Sequence, residues 1–421
     1  MIILITYIAI FVAAYVVVHF ISTRMAHRAD FTSLKTVTFG DESTVRSNRT
    51  ASIISVVAIF FLWGAFTGSK LVPIHVPGPF IGDTEFTYTA KNAAGDTDGG
   101  TVTVVVHKIG DDVKLPDIQP GDGFAKNDVA KVGAWRSGLI KVNRNDEGAK
   151  EDGFAITKVD GSDISVGNPV AVADGSVALT PKGSLNFTPY KGMQMEPIWM
   201  PSPEAVWYRF VEIFGDGYQG ITLVDHVGWS LIRVFAGFAV GSAIGIPLGY
   251  AMGLSGWFRG WFDPIVEFMR PVPPLALIPL VIIWFGIGET GKIILLFLAA
   301  LWIMTIAARA GVSGVNISKI HAAYSLGASK TQILLHVIVP NSLPEIFTGA
   351  RVAMGVCWGT VVAAELVAAE KGAGKMIVAA SKFQLTDIVI MGIILIGIIG
   401  FAIDVLMRKA EAWLVPWKGR S

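Results

Sequence analysis

Long, almost uncharged apolar runs constrain this chain more than any other feature. Residues 1–20, 51–70, 227–252, 293–309, 346–369 and 387–407 are runs of this kind, and another follows Pro274 to Phe285. A helix needs about 20 such residues to cross the hydrocarbon core of a bilayer. Hydrophobic residues make up 52% of the chain and charged residues 16%, whereas a soluble domain carries about 25% charge. The chain therefore reads as a polytopic α-helical membrane protein with about seven spans. Its net charge of +1 implies no bulk attraction to nucleic acid. Its single cysteine, Cys357, lies in an apolar run and cannot form a disulfide within the chain.

The loops set the expected orientation. Residues 1–20 lack a basic leading segment and a small-residue cleavage site, so they read as a retained span. Residues 21–50 carry Arg24, Arg28, Lys35, Arg46 and Arg49, which places them inside and Met1 outside. The tail, with Arg408, Lys409, Lys418 and Arg420, is also basic and inside. Residues 253–264 read as a short inside loop, and Gly286–Lys292 as an outer turn. Four glycines at every fourth position (Gly237, Gly241, Gly245, Gly249) form a smooth stripe suited to close helix packing in lipid.

Between residues 81 and 195 the composition shifts to Gly, Asp, Thr and Val, with no run long enough to span. Phe86–Ala90, Thr101–Val106, Val170–Val172, Ser176–Leu179 and Ser184–Phe187 read as strands. Asn92–Gly100 reads as a hairpin loop, and Asp174-Gly175 and Lys182-Gly183 as turns. This is a small all-β domain. It resembles the cadherin-like, immunoglobulin-like repeats of bacterial surface proteins, but in swapped order. Gly82-Asp-Thr-Glu-Phe-Thr-Tyr-Thr89 comes early, and Gly183-Ser-Leu-Asn-Phe-Thr-Pro189 comes late. That permutation would bring residues near 80 and 192 together, as an insertion into a membrane-protein loop requires. Asp83, Glu85, Asp96 and Asp98 could offer oxygen ligands to Ca²⁺. They read first as solvated turn and strand-edge acids, and no metal is expected.

One polar stretch, Ala322 to Pro340, leaves the apolar pattern between two spans. It reads as a short helix, a break at Gly327 and a second helix stopped by Pro340. Its spacing (Ala322-Ala323, Gly327, then Val337, Val339 and Pro340) resembles the signature loop of ABC-importer membrane subunits. His321 stands where that family usually has Glu. Further stretches resemble the taurine, sulfonate and nitrate branch of these permeases. They are Pro201-Ser-Pro203, Ser230–Gly237, Asp263-Pro264, Phe268–Pro279, Trp284–Gly288 and Ala363-Ala-Glu-Leu366. The resemblance implies a type I importer fold and a transport subunit that is not an enzyme. It implies a second permease copy, a cytoplasmic ATPase dimer that holds the ATP and Mg²⁺, and a periplasmic binding protein. The location implied is a bacterial inner membrane, with the β domain in the periplasm.

On this reading the domains are an extra span with its linker (1–50), a first core span (51–80), the β insertion (81–195) and the permease core (196–421). The loop to the ATPase would consist of His321, Ala322, Ala323, Ser325, Leu326, Gly327, Ala328 and Pro340. Glu365, in an apolar span, reads as a pathway residue or as half of a buried pair with Arg351 or Arg270. Arg270, Pro273 and Arg233 are further pathway candidates, with a topology anchor near the inside end of a span as the other reading of Arg270, and Asp404 is expected to snorkel or to pair with Arg408. Taurine or another sulfonate is the expected substrate, with nitrate, bicarbonate and aromatic carboxylates open. The alternative function is a membrane-anchored adhesion or sensor protein whose β domain carries the role.

Overall fold

The computed structural model describes residues 2–26 and 49–417. Arg28, Lys35, Arg46, Lys418 and Arg420, used above for orientation, lie outside the described residues. The chain forms two compact units that divide between Glu204 and Ala205.

The first unit begins with two apolar helices, α1 (Ile2–Ala26) and α2 (Arg49–Thr67), which pack on each other. A β-sandwich follows. One sheet has the order β3-β2-β1-β5-β6 and the other β4-β9-β8-β7. The strands are β1 (Gly82–Lys91), β2 (Thr97–His107), β3 (Asp128–Gly133), β4 (Gly138–Ile140), β5 (Ala155–Val159), β6 (Ser162–Asp163), β7 (Val170–Val172), β8 (Gly175–Leu179) and β9 (Leu185–Pro189). Alternation drives the sandwich. Phe86, Tyr88 and Ala90 on β1 and Val102, Val104 and Val106 on β2 all point inward and are buried. Phe86 stacks on Phe187 of the opposite sheet, ring centroids 6.0 Å apart. The expected hairpin loop is shorter than Asn92–Gly100, because strand pairing resumes at Thr97 opposite Lys91.

The two ends of the sandwich meet, as the swapped order requires. Phe80 N–H donates to Tyr190 C=O at 2.9 Å, and Met193 N–H donates to Pro77 C=O at 2.7 Å. Beyond them the chain ties itself to the end of α2. Met195 N–H donates to Phe66 C=O at 2.8 Å, Trp63 Nε1 to Pro201 C=O at 2.8 Å, and Ser69 Oγ to Glu204 Oε2 at 2.6 Å.

The second unit is helical. It contains most of α3 (Pro203–Asp216), then α4 (Leu223–Leu254), α5 (Gly256–Met269), α6 (Ile278–Phe285), α7 (Glu289–Ser313), α8 (Ile317–Ser325), α9 (Lys330–Ile333), α10 (Val339–Ala368), α11 (Ala373–Lys382) and α12 (Thr386–Leu414). Among the described residues, five helical stretches are long and apolar enough to span a membrane: Thr50–Thr67, Leu223–Leu254, Glu289–Ser313, Lys330–Leu366 and Thr386–Leu414. A sixth is a broken pair, Gly256–Met269 and Pro274–Phe285, bent by 94° at the prolines. Residues 256–264, expected as loop, are therefore the first part of α5.

The core is the α4–α7–α10 contact. The glycine stripe of α4 lies directly on the α7 backbone. A Cβ on Gly245 would come within 2.7 Å of Leu301 O, and one on Gly241 within 2.9 Å of Phe297 O. The stripe runs one step further than expected, to Gly253 against Val312. Around it Val234, Leu296, Ala300, Met304, Ala353, Cys357 and Val361 form one buried cluster. Without a hydrophobic drive between helices in lipid, this close backbone approach supplies the association energy.

Candidate functional site: a knuckle between helices and a buried charge knot

The knuckle is built by local chemistry. Asn316 caps α8, its Oδ1 accepting from Ser318 N–H at 2.9 Å. The helix ends in a Schellman arrangement. Gly327 N–H donates to Tyr324 C=O at 2.9 Å, and Ala328 N–H donates to Ala323 C=O at 3.0 Å. Gly327 sits at φ +80°, the left-handed region, and open space surrounds the place of its missing Cβ. Ser329 then starts α9 with a capping box, its N–H donating to Gln332 Oε1 at 2.8 Å. Gly-Ala-Ser-Lys-Thr-Gln is thus a stop signal followed directly by a start signal.

One side of the knuckle is packed. Ile333 and Ile338 bury against Val312, with Ala323, Ala328 and Val337 partly buried around them. The other side faces out. His321, Ala322, Ser325 and Gly327 are exposed, Tyr324 is 49% exposed and Leu326 88%. The tip of this well-capped turn thus presents an aliphatic side chain and an aromatic ring to the outside.

Pro340 does not stop the second helix, contrary to expectation. Helix continues from Lys330 to Leu366. A π turn, Leu334–Ile338, precedes the proline, and Val339 N–H bonds Leu334 C=O five residues back. Pro340 has no N–H to place in the ladder, and it follows directly on this π turn, where the bonding pattern has already shifted to five-residue spacing.

The charge knot joins four elements. Arg233 of α4 is 1% exposed and Glu365 of α10 is 0% exposed. Arg233 Nη1 donates to Glu365 Oε1 at 2.6 Å and to Lys371 C=O at 2.8 Å. Its Nε and Nη2 grip Glu289, at the start of α7, at 2.5 and 2.8 Å. Lys292 Nζ reaches Glu289 Oε1 at 2.8 Å. Glu365 also accepts from Ser230 Oγ at 2.7 Å and from Gly374 N–H at 2.9 Å. Ser230 Oγ accepts Ala373 N–H at 3.0 Å, and His226 Nδ1 lies 3.1 Å from Gly372 N. Gly372 has φ +148°, and a Cβ there would run into the Glu365 carboxylate.

Two cations face two carboxylates in this knot, so its formal charge is zero. It offers no surplus positive charge to an anion. It holds the starts of α4 and α7, the end of α10 and the 371–374 loop in one arrangement. The partners of Glu365 differ from those expected. Arg351 instead faces Asp404 and Glu411 of α12, each at 3.5 Å. Arg270 is exposed and lies 3.8 Å from Glu267. Asp404 pairs with Arg408 at 2.8 Å, as its spacing suggested. Pro273 lies at the bend between α5 and α6. Sequence reasoning missed Glu289, Lys292, Ser230 and His226. The available signal was their polarity at the ends of apolar runs.

The Ca²⁺ candidates do not converge. Asp83 and Glu85 point outward near one end of the β1–β2 hairpin, and Asp96 and Asp98 lie at the other. Glu85 accepts from Thr103 Oγ1 at 3.0 Å and Asp98 from Ala125 N–H at 2.8 Å. Among the described residues no three His, Cys, Asp or Glu side chains are grouped to hold a metal.

Residues 229–415 match the family described as "Binding-protein-dependent transport system inner membrane component". The taurine transport system permease protein TauC of Escherichia coli (strain K12) is 46% identical over 226 residues, 53% of this chain and 82% of that protein. The bicarbonate transport system permease protein CmpB of Synechococcus elongatus is 33% identical over 189 residues, 45% of this chain and 66% of that protein. A crystal structure of an amino acid ABC transporter with histidines is 17% identical, covers 50% of this chain and 96% of that one, and gives a TM-score of 0.40. Neither the α1 segment nor the β-sandwich lies within residues 229–415. The chain belongs to the family of binding-protein-dependent transport system inner membrane components, the non-catalytic permease subunits of ABC importers.

Proposed function

We propose that this permease carries a small sulfonate-type anion, with taurine as the first candidate. The support is the 46% identity to a taurine permease across 82% of that protein's length. Two copies would form the path, a periplasmic binding protein would deliver the anion, and a cytoplasmic ATPase pair would supply ATP, Mg²⁺ and the power stroke. The coupling element is the α8–α9 knuckle, residues 321–340. The observation that carries this assignment is the exposed Leu326-Gly327 tip, held by a Schellman cap on one side and a capping box on the other. Such a rigid, open turn can seat in a groove and transmit its motion directly into α10, which continues from it as one helix.

The division into an extra span, a first core span, a β insertion and a permease core stands as part of this reading. The β domain is periplasmic on it, because it follows an outward-crossing α2. Arg233 and Glu365 act as a latch between α4, α7 and α10, since both are buried and fully engaged. The rival reading, in which they line the path, separates from this one in the Glu365→Gln experiment discussed below. An adhesive or sensory role centred on the β domain does not account for the knuckle.

The test is uptake into proteoliposomes holding the permease, its ATPase and its binding protein. ATP-dependent accumulation of labelled taurine, blocked by excess unlabelled sulfonate and not by bicarbonate, is the expected result. Uptake of bicarbonate or nitrate with no sulfonate uptake would overturn the substrate assignment.

A further inference from the structure

Like α5, where Trp257, Trp261 and Phe268 are exposed, helix α3 is amphipathic and carries an exposed aromatic strip. Its sequence, Pro-Glu-Ala-Val-Trp-Tyr-Arg-Phe-Val-Glu-Ile-Phe-Gly-Asp, sorts into three strips. Val206 and Ile213 are buried in protein, 6% and 2% exposed. Arg209, Glu212 and Asp216 form a polar edge one turn apart. The remaining strip is aromatic and open: Trp207 is 63% exposed, Tyr208 72% and Phe214 59%, with Val211 between them. Trp207 stacks on Phe210 with centroids at 5.6 Å, and Phe210 on Phe214 at 6.0 Å. The strip is therefore a continuous aromatic ladder.

The position of the helix is also determined. Arg209 Nε donates to Asp387 Oδ2 at 2.8 Å, and Asp387 lies in the first turn of α12. The polar edge closes on itself through Arg209 Nη1 and Glu212 at 2.8 Å. A tight turn, with Tyr218 N–H bonding Ile221 C=O at 2.8 Å, leads directly into Thr222, the N-cap of α4. Helix α3 is thus held level with the starts of two spanning helices, where a bilayer passes from headgroups to acyl chains.

We infer that α3 is an interfacial anchor, lying in the plane of the bilayer with its Trp207–Tyr208–Phe214 strip in the headgroup–acyl boundary. Trp and Tyr rings favour this layer, because their apolar bodies meet the acyl chains while their N–H and O–H groups reach water. A helix with one apolar strip and one charged edge lies in the interface and does not span. Val224, in the first turn of α4, is likewise exposed, at 65%. The Arg209–Asp387 pair transmits the anchor to α12 and fixes the depth of that span.

The experiment uses the complete permease in lipid nanodiscs of phosphatidylethanolamine and phosphatidylglycerol. Wild type and Trp207→Phe are compared with ordinary and with brominated acyl chains. The expected result is that the variant loses a bromine-quenched component of the emission. An unchanged quenched component would overturn the proposal. In parallel, single spin labels are placed by Val211→Cys and Glu212→Cys on a Cys357→Ala background. Oxygen should reach position 211 better than a water-soluble nickel reagent, and nickel should reach position 212 better than oxygen. A label at 211 that favours nickel, or one shielded from both reagents as a docked protein would shield it, contradicts the anchor.

Discussion

Arg233 and Glu365 meet at 2.6 Å across 132 residues of sequence, with almost no solvent contact on either side chain. Both oxygens of the Glu365 carboxylate are engaged, accepting from three donors on two segments: Ser230 and Arg233 of α4, and Gly374 at the start of α11. A charge so placed is costly to strip of its partner, because the desolvation already incurred is no longer offset.

Glu365→Gln keeps the volume but leaves Arg233 with only Glu289 as a counter-charge. Stability should fall by about 3–5 kcal/mol, the scale for breaking a buried pair. Uptake per folded molecule should stay near the wild-type value. Thermal unfolding and uptake on one preparation check this together. Unchanged stability with altered uptake would move Glu365 from latch to pathway.

The β domain should be removable. Its ends are joined by backbone bonds at Phe80–Tyr190 and Met193–Pro77, and the chain outside them is tied to α2. Deleting residues 83–192 with a short Gly-Ser joint should leave a membrane-inserted protein that still recruits its ATPase. Membrane fractionation and an ATPase pull-down read this out. Aggregation of the variant would show that the sandwich is part of the folding unit of α2.

Asp128 makes the sandwich sensitive to pH. Burial, with the Asp146 carboxylate nearby, raises its pKa from 3.8 to about 7. A carboxyl raised in the folded state binds its proton more tightly there than in the unfolded chain. Its stabilising effect is therefore full below about pH 4 and is lost as pH climbs to about 7. The protection of the β2 amides, with the intrinsic base-catalysed exchange rate divided out, should fall across that window, and Asp128→Asn should remove most of that slope. A slope that persists in the variant would refute the assignment.

The parts legible in sequence were those set by composition and by local chemistry. Apolar runs located the five spanning stretches from α2 to α12, and the stop–start pattern at Gly327-Ala328-Ser329 located the knuckle. The swapped strand motifs implied that residues near 80 and 192 meet. Pro340 misled, because a proline normally ends a helix and nothing local announces the π turn that absorbs it. The strands β3 to β6 escaped notice because they are short and mix Lys and Asp into their pattern, Asp-Val-Ala-Lys-Val-Gly in β3 for example. The partner of Glu365 could not be read at all. It depends on how α4 and α10 each pack on α7, where Gly241 and Gly245 of α4 and Gly349 of α10 lie close to α7 atoms, and the α7 sequence carries no matching mark.

The most direct test of the account is ATP-driven uptake by Gly327→Leu in proteoliposomes. The left-handed backbone at this position costs a side chain only about 1–2 kcal/mol, and the open space around it leaves the fold intact. The added bulk would stand where the ATPase groove must close on the turn. The account predicts a protein that inserts and unfolds at nearly the wild-type temperature but has lost coupled uptake. A folded Gly327→Leu variant that binds its ATPase and transports at the wild-type rate would contradict it.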